Sequence, residues 1–138
     1  MKKKAFTLIE LMLTVMVIAI LVSIAIPNYI NTVERARARE AVSTLESMRA
    51  AEQSYAAERR SFINLTDGAG TAIAGTWEAI GLEDPNLNAN NSWIYILNDV
   101  PAAGNTFNAT ASRINGPYSG KTIILDQDGA DGGSTWPL

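Results

Sequence analysis

The sequence predicts an α+β fold in which one long N-terminal helix, apolar in its first half and amphipathic in its second, packs on a small antiparallel β-meander. Three observations carry that prediction. Residues 6–60 contain no glycine and a single proline, Pro27, so a helix can run through them almost uninterrupted. Three β-like runs separated by short turns fill the C-terminal third. The chain has 138 residues, enough for one domain and too few for two. Cysteine and histidine are both absent, which removes disulfides, thiolate and imidazole metal ligands, cysteine nucleophiles and histidine-based triads. A net charge of -3 gives no electrostatic case for nucleic-acid binding.

The first element follows Lys2, Lys3, Lys4 and Ala5. Between Phe6 and Ile26, 17 of 21 residues are apolar, the exceptions being Thr7, Glu10, Thr14 and Ser23. As a helix this segment is about 31 Å long, matching the ~30 Å hydrocarbon core of a bilayer. A plain single-pass anchor and a secretory signal peptide cut after Ser23-Ile24-Ala25 are the simpler readings. The signal peptide fits poorly, because the apolar region exceeds its usual ~7–15 residues and contains Glu10. An ionised carboxylate in a spanning helix costs about 2.5–3.5 kcal/mol at mid-bilayer, so Glu10 calls for a partner. No Lys or Arg lies between Lys4 and Arg35. Cleavage of the Ala5-Phe6 bond would create a positive charge in the form of a new terminal amine.

The run Lys2-Lys3-Lys4-Ala5-Phe6-Thr7-Leu8-Ile9-Glu10 resembles the leader and cleavage motif of type IV pilins and type II secretion pseudopilins. The resemblance implies cleavage between Ala5 and Phe6 by a prepilin peptidase, N-methylation of Phe6, and pairing of Glu10 with the terminal amine of another subunit during filament assembly. It implies a leader at 1–5, a transmembrane and assembly helix at 6–27, and a periplasmic or extracellular domain at 28–138. It also implies a homopolymer built by an inner-membrane assembly platform and motor from a precursor whose N-terminus lies inside. Ala5 stands where the family mostly has Gly, and Ala19 where many pilins have a helix-loosening Gly. Pro27 matches the family's proline, and its missing N–H predicts a helix kink near Ser23.

Beyond Pro27, Ile30, Val33, Ala41, Leu45, Met48, Ala51 and Tyr55 recur at helical spacing to about Arg60 and predict the face that meets the sheet. Arg35, Arg37 and Arg39 read as a solvated face, with Glu34, Glu40 and Glu46 as opposite charges for neighbouring subunits. Residues 61–92 form the connecting loop, in which Thr76 to Leu82 supplies a short helical turn ended by Gly81 and held by Trp77, Ile80 and Leu82. The meander at 93–138 arises from runs at 92–100, 106–113 and 121–126, with Phe107, Ala109 and Ala111 alternating against Asn108, Thr110 and Ser112. Trp93, Tyr95, Phe107 and Trp136 are expected in the helix–sheet core.

Asp126, Asp128 and Asp131 with Gly129 and Gly132 raise a calcium reading, since hard cations take clustered carboxylate and carbonyl oxygens. The spacing departs from an EF-hand: Ala130 falls at the fifth position and Pro137 at the twelfth. Ordinary Asp-Gly turns, no metal and no other cofactor are the expectation. No pair of carboxylates stands out for acid–base chemistry, so the chain is expected not to be an enzyme. A pilus-like structural subunit, a secretion pseudopilin and, from another class, a membrane-anchored binding domain with a ligand cleft are the functions that fit.

Overall fold

The computed structural model describes residues 6–63, 65, 77–88, 91–99 and 106–137. The leader through Ala5, residues 64, 66–76 and 89–90 of the connecting loop, the turn at 100–105 and residue 138 lie outside the described residues. The element order is α1 (Leu8–Arg59), two 3-10 turns (Glu78–Ile80 and Pro85–Leu87), β1 (Trp93–Asp99), β2 (Phe107–Arg113) and β3 (Thr122–Asp126). The chain divides into two compact units, residues 1–36 and residues 37–138.

The first unit is helical from Leu8 onward, with Pro27 inside the helix. The hydroxyls in its apolar stretch are satisfied by the helix itself. Thr14 Oγ1 donates to Leu11 O at 2.8 Å and Ser23 Oγ to Ile20 O at 2.7 Å. Each hydroxyl thereby avoids the cost of an unpaired polar group in apolar surroundings. Residues around Ser23 are helical, so Pro27 removes one backbone donor without unwinding the turn before it.

In the second unit the strands form a meander in the order β1-β2-β3, antiparallel throughout, with Trp93 opposite Arg113 and Ala111 opposite Ile123. Helix residues Ala38, Ala41, Leu45 and Met48 share one core with Trp93, Tyr95, Leu97, Phe107, Ala109, Ala111 and Ile123. The expected alternation along β2 holds for Phe107, Ala109 and Ala111, which are fully buried. Thr110, on the other face of this central strand, is buried as well, because Ile96 and Ile124 flank it in register. Period two continues to Arg113, whose side chain enters the core side at 3% exposure. Its Nη1 donates to Ser92 O at 2.6 Å and its guanidinium lies 5.7 Å from the Trp93 ring centre.

The helical stripe needs two corrections. Ile30 is exposed, whereas Glu34, expected to offer its charge to neighbouring subunits, is buried. The reason is periodicity: Glu34, Ala38, Ala41, Leu45, Met48 and Glu52 step by four and three residues, so the buried stripe has a carboxylate at each end. Glu52 Oε2 accepts the Ile63 amide at 3.1 Å, tying the chain that leaves the helix back onto it.

Trp77 and Ile80 are buried and Leu82 half-buried, as their predicted role as anchors requires. Gly81 ends that turn at φ 75, a conformation that glycine adopts without a Cβ penalty. Gly132 is needed for a different reason, since a Cβ there would lie 2.6 Å from Ile124 Cγ2. Ile124 is β-branched and stiff, so Gly132→Ala is expected to cost about 1–3 kcal/mol, measured as a lower denaturant midpoint with unchanged slope.

Candidate functional site

The first turn of α1 is built around Glu10. Thr7 Oγ1 donates to Glu10 Oε2 at 3.1 Å, the Thr7 amide reaches the same oxygen at 3.3 Å, and the Glu10 amide donates to Thr7 Oγ1 at 3.3 Å. Leu11 N to Thr7 O, at 3.2 Å, is the first helical backbone bond. This reciprocal arrangement is a capping box, with Thr7 as N-cap and Glu10 at the third helical position. The Thr-x-x-Glu spacing is visible in the sequence and supplies an in-chain partner that charge counting alone misses. The carboxylate also sits at the positive end of the helix dipole. A carboxylate accepts on two oxygens, so a cap through Oε2 leaves capacity for a cationic partner.

Phe6 is 72% exposed, and large apolar side chains from Leu8 through Ile30 are likewise exposed. Isolated apolar side chains on a surface need no explanation, but a continuous exposed stretch of this length marks a membrane or protein contact. The helix is long and apolar enough to cross a bilayer, with a mean hydropathy of 2.7 in its most apolar window.

The remaining candidates are engaged in the fold. Asp126 Oδ1 accepts the amides of Asp128 at 3.0 Å and Ala130 at 2.8 Å. Asp131 Oδ1 accepts those of Gly133 at 3.1 Å and Ser134 at 2.7 Å. The Ser134 hydrogen bonds hold the Asp131 carboxyl below its ordinary pKa. These are Asx turns, and among the described residues no three acidic side chains group to hold a metal ion. Arg35 and Arg39 are exposed and Arg37 is half-buried, with Glu40 and Glu46 on the surface.

A groove of about 520 Å³, lined among others by Glu40, Thr44, Glu83, Asp84 and Tyr95, is the cleft that a binding-domain reading would use. Asp84 and Tyr95 in it already have structural work. Asp84 Oδ1 caps the following turn through the Asn86 amide at 2.8 Å. Burial raises the Tyr95 pKa, an effect partly offset by the Thr44 hydrogen bond and reinforced by the Glu40 charge, so the phenol stays neutral.

A capped, exposed apolar helix followed by an α+β domain is the arrangement that the prepilin-like sequence predicts. A family model described as the prokaryotic N-terminal methylation motif matches residues 1–26. The chain is 37% identical over 71 residues to a type IV major pilin protein, PilA, of Myxococcus xanthus, covering 51% of this chain and 32% of that protein. It is 39% identical over 62 residues to a fimbrial protein of Pseudomonas aeruginosa, covering 45% of this chain and 40% of the relative. A fimbrial protein of Neisseria meningitidis is 25% identical over 134 residues, 97% of this chain and 71% of its own length. The matches to the Myxococcus and Pseudomonas proteins thus span less than half of those relatives. No solved structure matches the chain. Over these lengths the chain is similar to type IV pilins and fimbrial proteins, and its N-terminal segment carries the prokaryotic methylation motif.

Proposed function

We propose that the chain is a structural subunit of a type IV pilus-like filament, cut by a prepilin peptidase between Ala5 and Phe6, N-methylated on Phe6, and polymerised through its N-terminal helix. The observation that carries this reading is a carboxylate, Glu10, within the exposed apolar stretch of the helix and inside a matched methylation motif. The precursor is held in the inner membrane with its N-terminus inside, and the span is extracted by subunit packing driven by an assembly platform and motor. An ammonium on Phe6 of one subunit and Glu10 of a neighbour attract strongly in low dielectric and cancel each other's unpaired-charge cost. A short secretion pseudopilus is the second reading from the motif. The pilus reading is favoured because the relatives carry pilin and fimbrial names.

The test is the intact mass and N-terminal sequence of the protein taken from its native membrane. A chain starting at Phe6 with one added methyl is expected. A start at Ile26 would mean signal-peptide removal, and an intact Met1 in assembled material would overturn the processing step.

A further inference from the structure

The geometry assigns a further role to Asn86: its side chain closes the outer edge of β1 against pairing with a second copy of this chain. β1 is bonded to β2 along one edge. On the other, Asn86 Nδ2 donates to Tyr95 O at 2.8 Å and the Tyr95 amide donates to Asn86 Oδ1 at 2.8 Å. The carboxamide thus makes both bonds that one residue of a neighbouring antiparallel strand would make. Leu65 N adds a bond to Leu97 O at 3.2 Å, the next outward-facing carbonyl.

Asn86 is held in place for this. Its own amide is bonded to Asp84 Oδ1 at 2.8 Å, Leu87 N to Asp84 O at 3.3 Å, and Asn91 Nδ2 to Pro85 O. Asp84 as cap and Pro85 at the first position preset the turn.

The edge needs closing because Trp93-Ile94-Tyr95-Ile96-Leu97 is an uninterrupted run of strand-favouring residues without charge, glycine or proline. Ile94 is 43% exposed on the face opposite the buried Trp93, Tyr95 and Leu97. The opposite sheet edge is already covered by the C-terminal tail, through Gly132 N to Ile124 O at 2.9 Å and the amides of Thr135 and Trp136 to Thr122 O at 2.9 and 3.0 Å. A second copy is the fitting occupant of the β1 edge. In an antiparallel pair about a two-fold axis, Tyr95 of each copy offers the N–H and C=O that the other lacks, so the edge is complementary to itself.

The test uses the full-length protein in detergent micelles, with wild type as the baseline. Asn86→Ala should raise the dimer fraction in sedimentation equilibrium with density-matched micelles. In dilute samples its Tyr95 amide should exchange about tenfold faster than wild type by NMR, and protection should return as concentration rises. Adding Ile94→Lys, which places like charges on the paired face, should restore the wild-type dimer fraction while leaving Tyr95 fast at every concentration. If Asn86→Ala lacks the wild-type helical circular dichroism, the near-isosteric Asn86→Leu, which loses both the donor to Tyr95 O and the acceptor of the Tyr95 amide, is judged by the same criteria. An unchanged Tyr95 exchange rate, an unchanged dimer fraction, or a dimer indifferent to Ile94→Lys would each overturn the proposal.

Discussion

Glu10→Gln is expected to abolish filaments while the folded domain remains intact. Gln also serves at the third position of a capping box, so this change keeps the hydrogen bonds to Thr7 and removes only the charge. Glu10→Ala removes both the charge and the cap. Thr7→Ala removes the cap partner and keeps the charge, at a cost of about 0.5–2 kcal/mol confined to the first turn. If the carboxylate works by pairing with a neighbour's terminal amine, the two Glu10 variants fail to assemble and Thr7→Ala assembles. If its work is capping, Glu10→Gln assembles and the other two are impaired. A lost ion pair leaves an ammonium unpaired in apolar surroundings, a penalty of about 2.5–3.5 kcal/mol per subunit on insertion scales. Repeated at every subunit, that is enough to stop growth. Filament yield by electron microscopy, beside circular dichroism of the purified variants, separates the cases. Normal filaments from Glu10→Gln would refute the pairing.

This contrast also shows what kind of information the chain displays openly. Long-period features are legible because many residues report the same thing. The helix expected to about Arg60 ends at Arg59, the three strands fall within one residue of their predicted starts, and Gly81 closes the turn after Trp77. Single side chains that replace backbone partners are less legible, because their meaning depends on a contact the sequence does not contain. Asn86 looks like one asparagine in a polar loop, and only folding brings it against Tyr95, nine residues away. Glu52 and Arg113 are charged residues at buried positions, three turns along the helix from Ala41 and one more step along β2 from Ala111, where only the periodicity marks them. Thr7 and Glu10 are the opposite case. Their spacing is a local signature of a cap, which the charge of Glu10 alone does not reveal.

The second large effect is expected from Trp136→Ala, because a chain without cysteine must fasten its C-terminus by packing. Trp136 is buried, with its ring centre 5.0 Å from Trp93 and 4.7 Å from Tyr118, both tilted. Its amide and that of Thr135 close on Thr122 O, while Ser134 Oγ and Thr135 Oγ1 accept the amides of Ile124 and Thr122 at 2.9 Å each. Among the described residues, the indole therefore holds a strip of hydrogen bonds that has no other buried apolar anchor near its end. Truncating a buried Trp typically costs about 3–5 kcal/mol, the same order as the 2–4 kcal/mol of a disulfide. Because the tail can detach without unfolding the sheet, the low end of that range applies to global stability, and the local effect is larger. At about 4–8 °C per kcal/mol for a domain near 100 residues, the melting temperature should fall by roughly 12–24 °C. The amides of Gly132, Thr135 and residue 136 should lose their protection first, well below global unfolding. A fall of under about 2 °C with those amides still protected would mean that the side-chain hydrogen bonds of Asp131, Ser134 and Thr135 hold the tail without the ring.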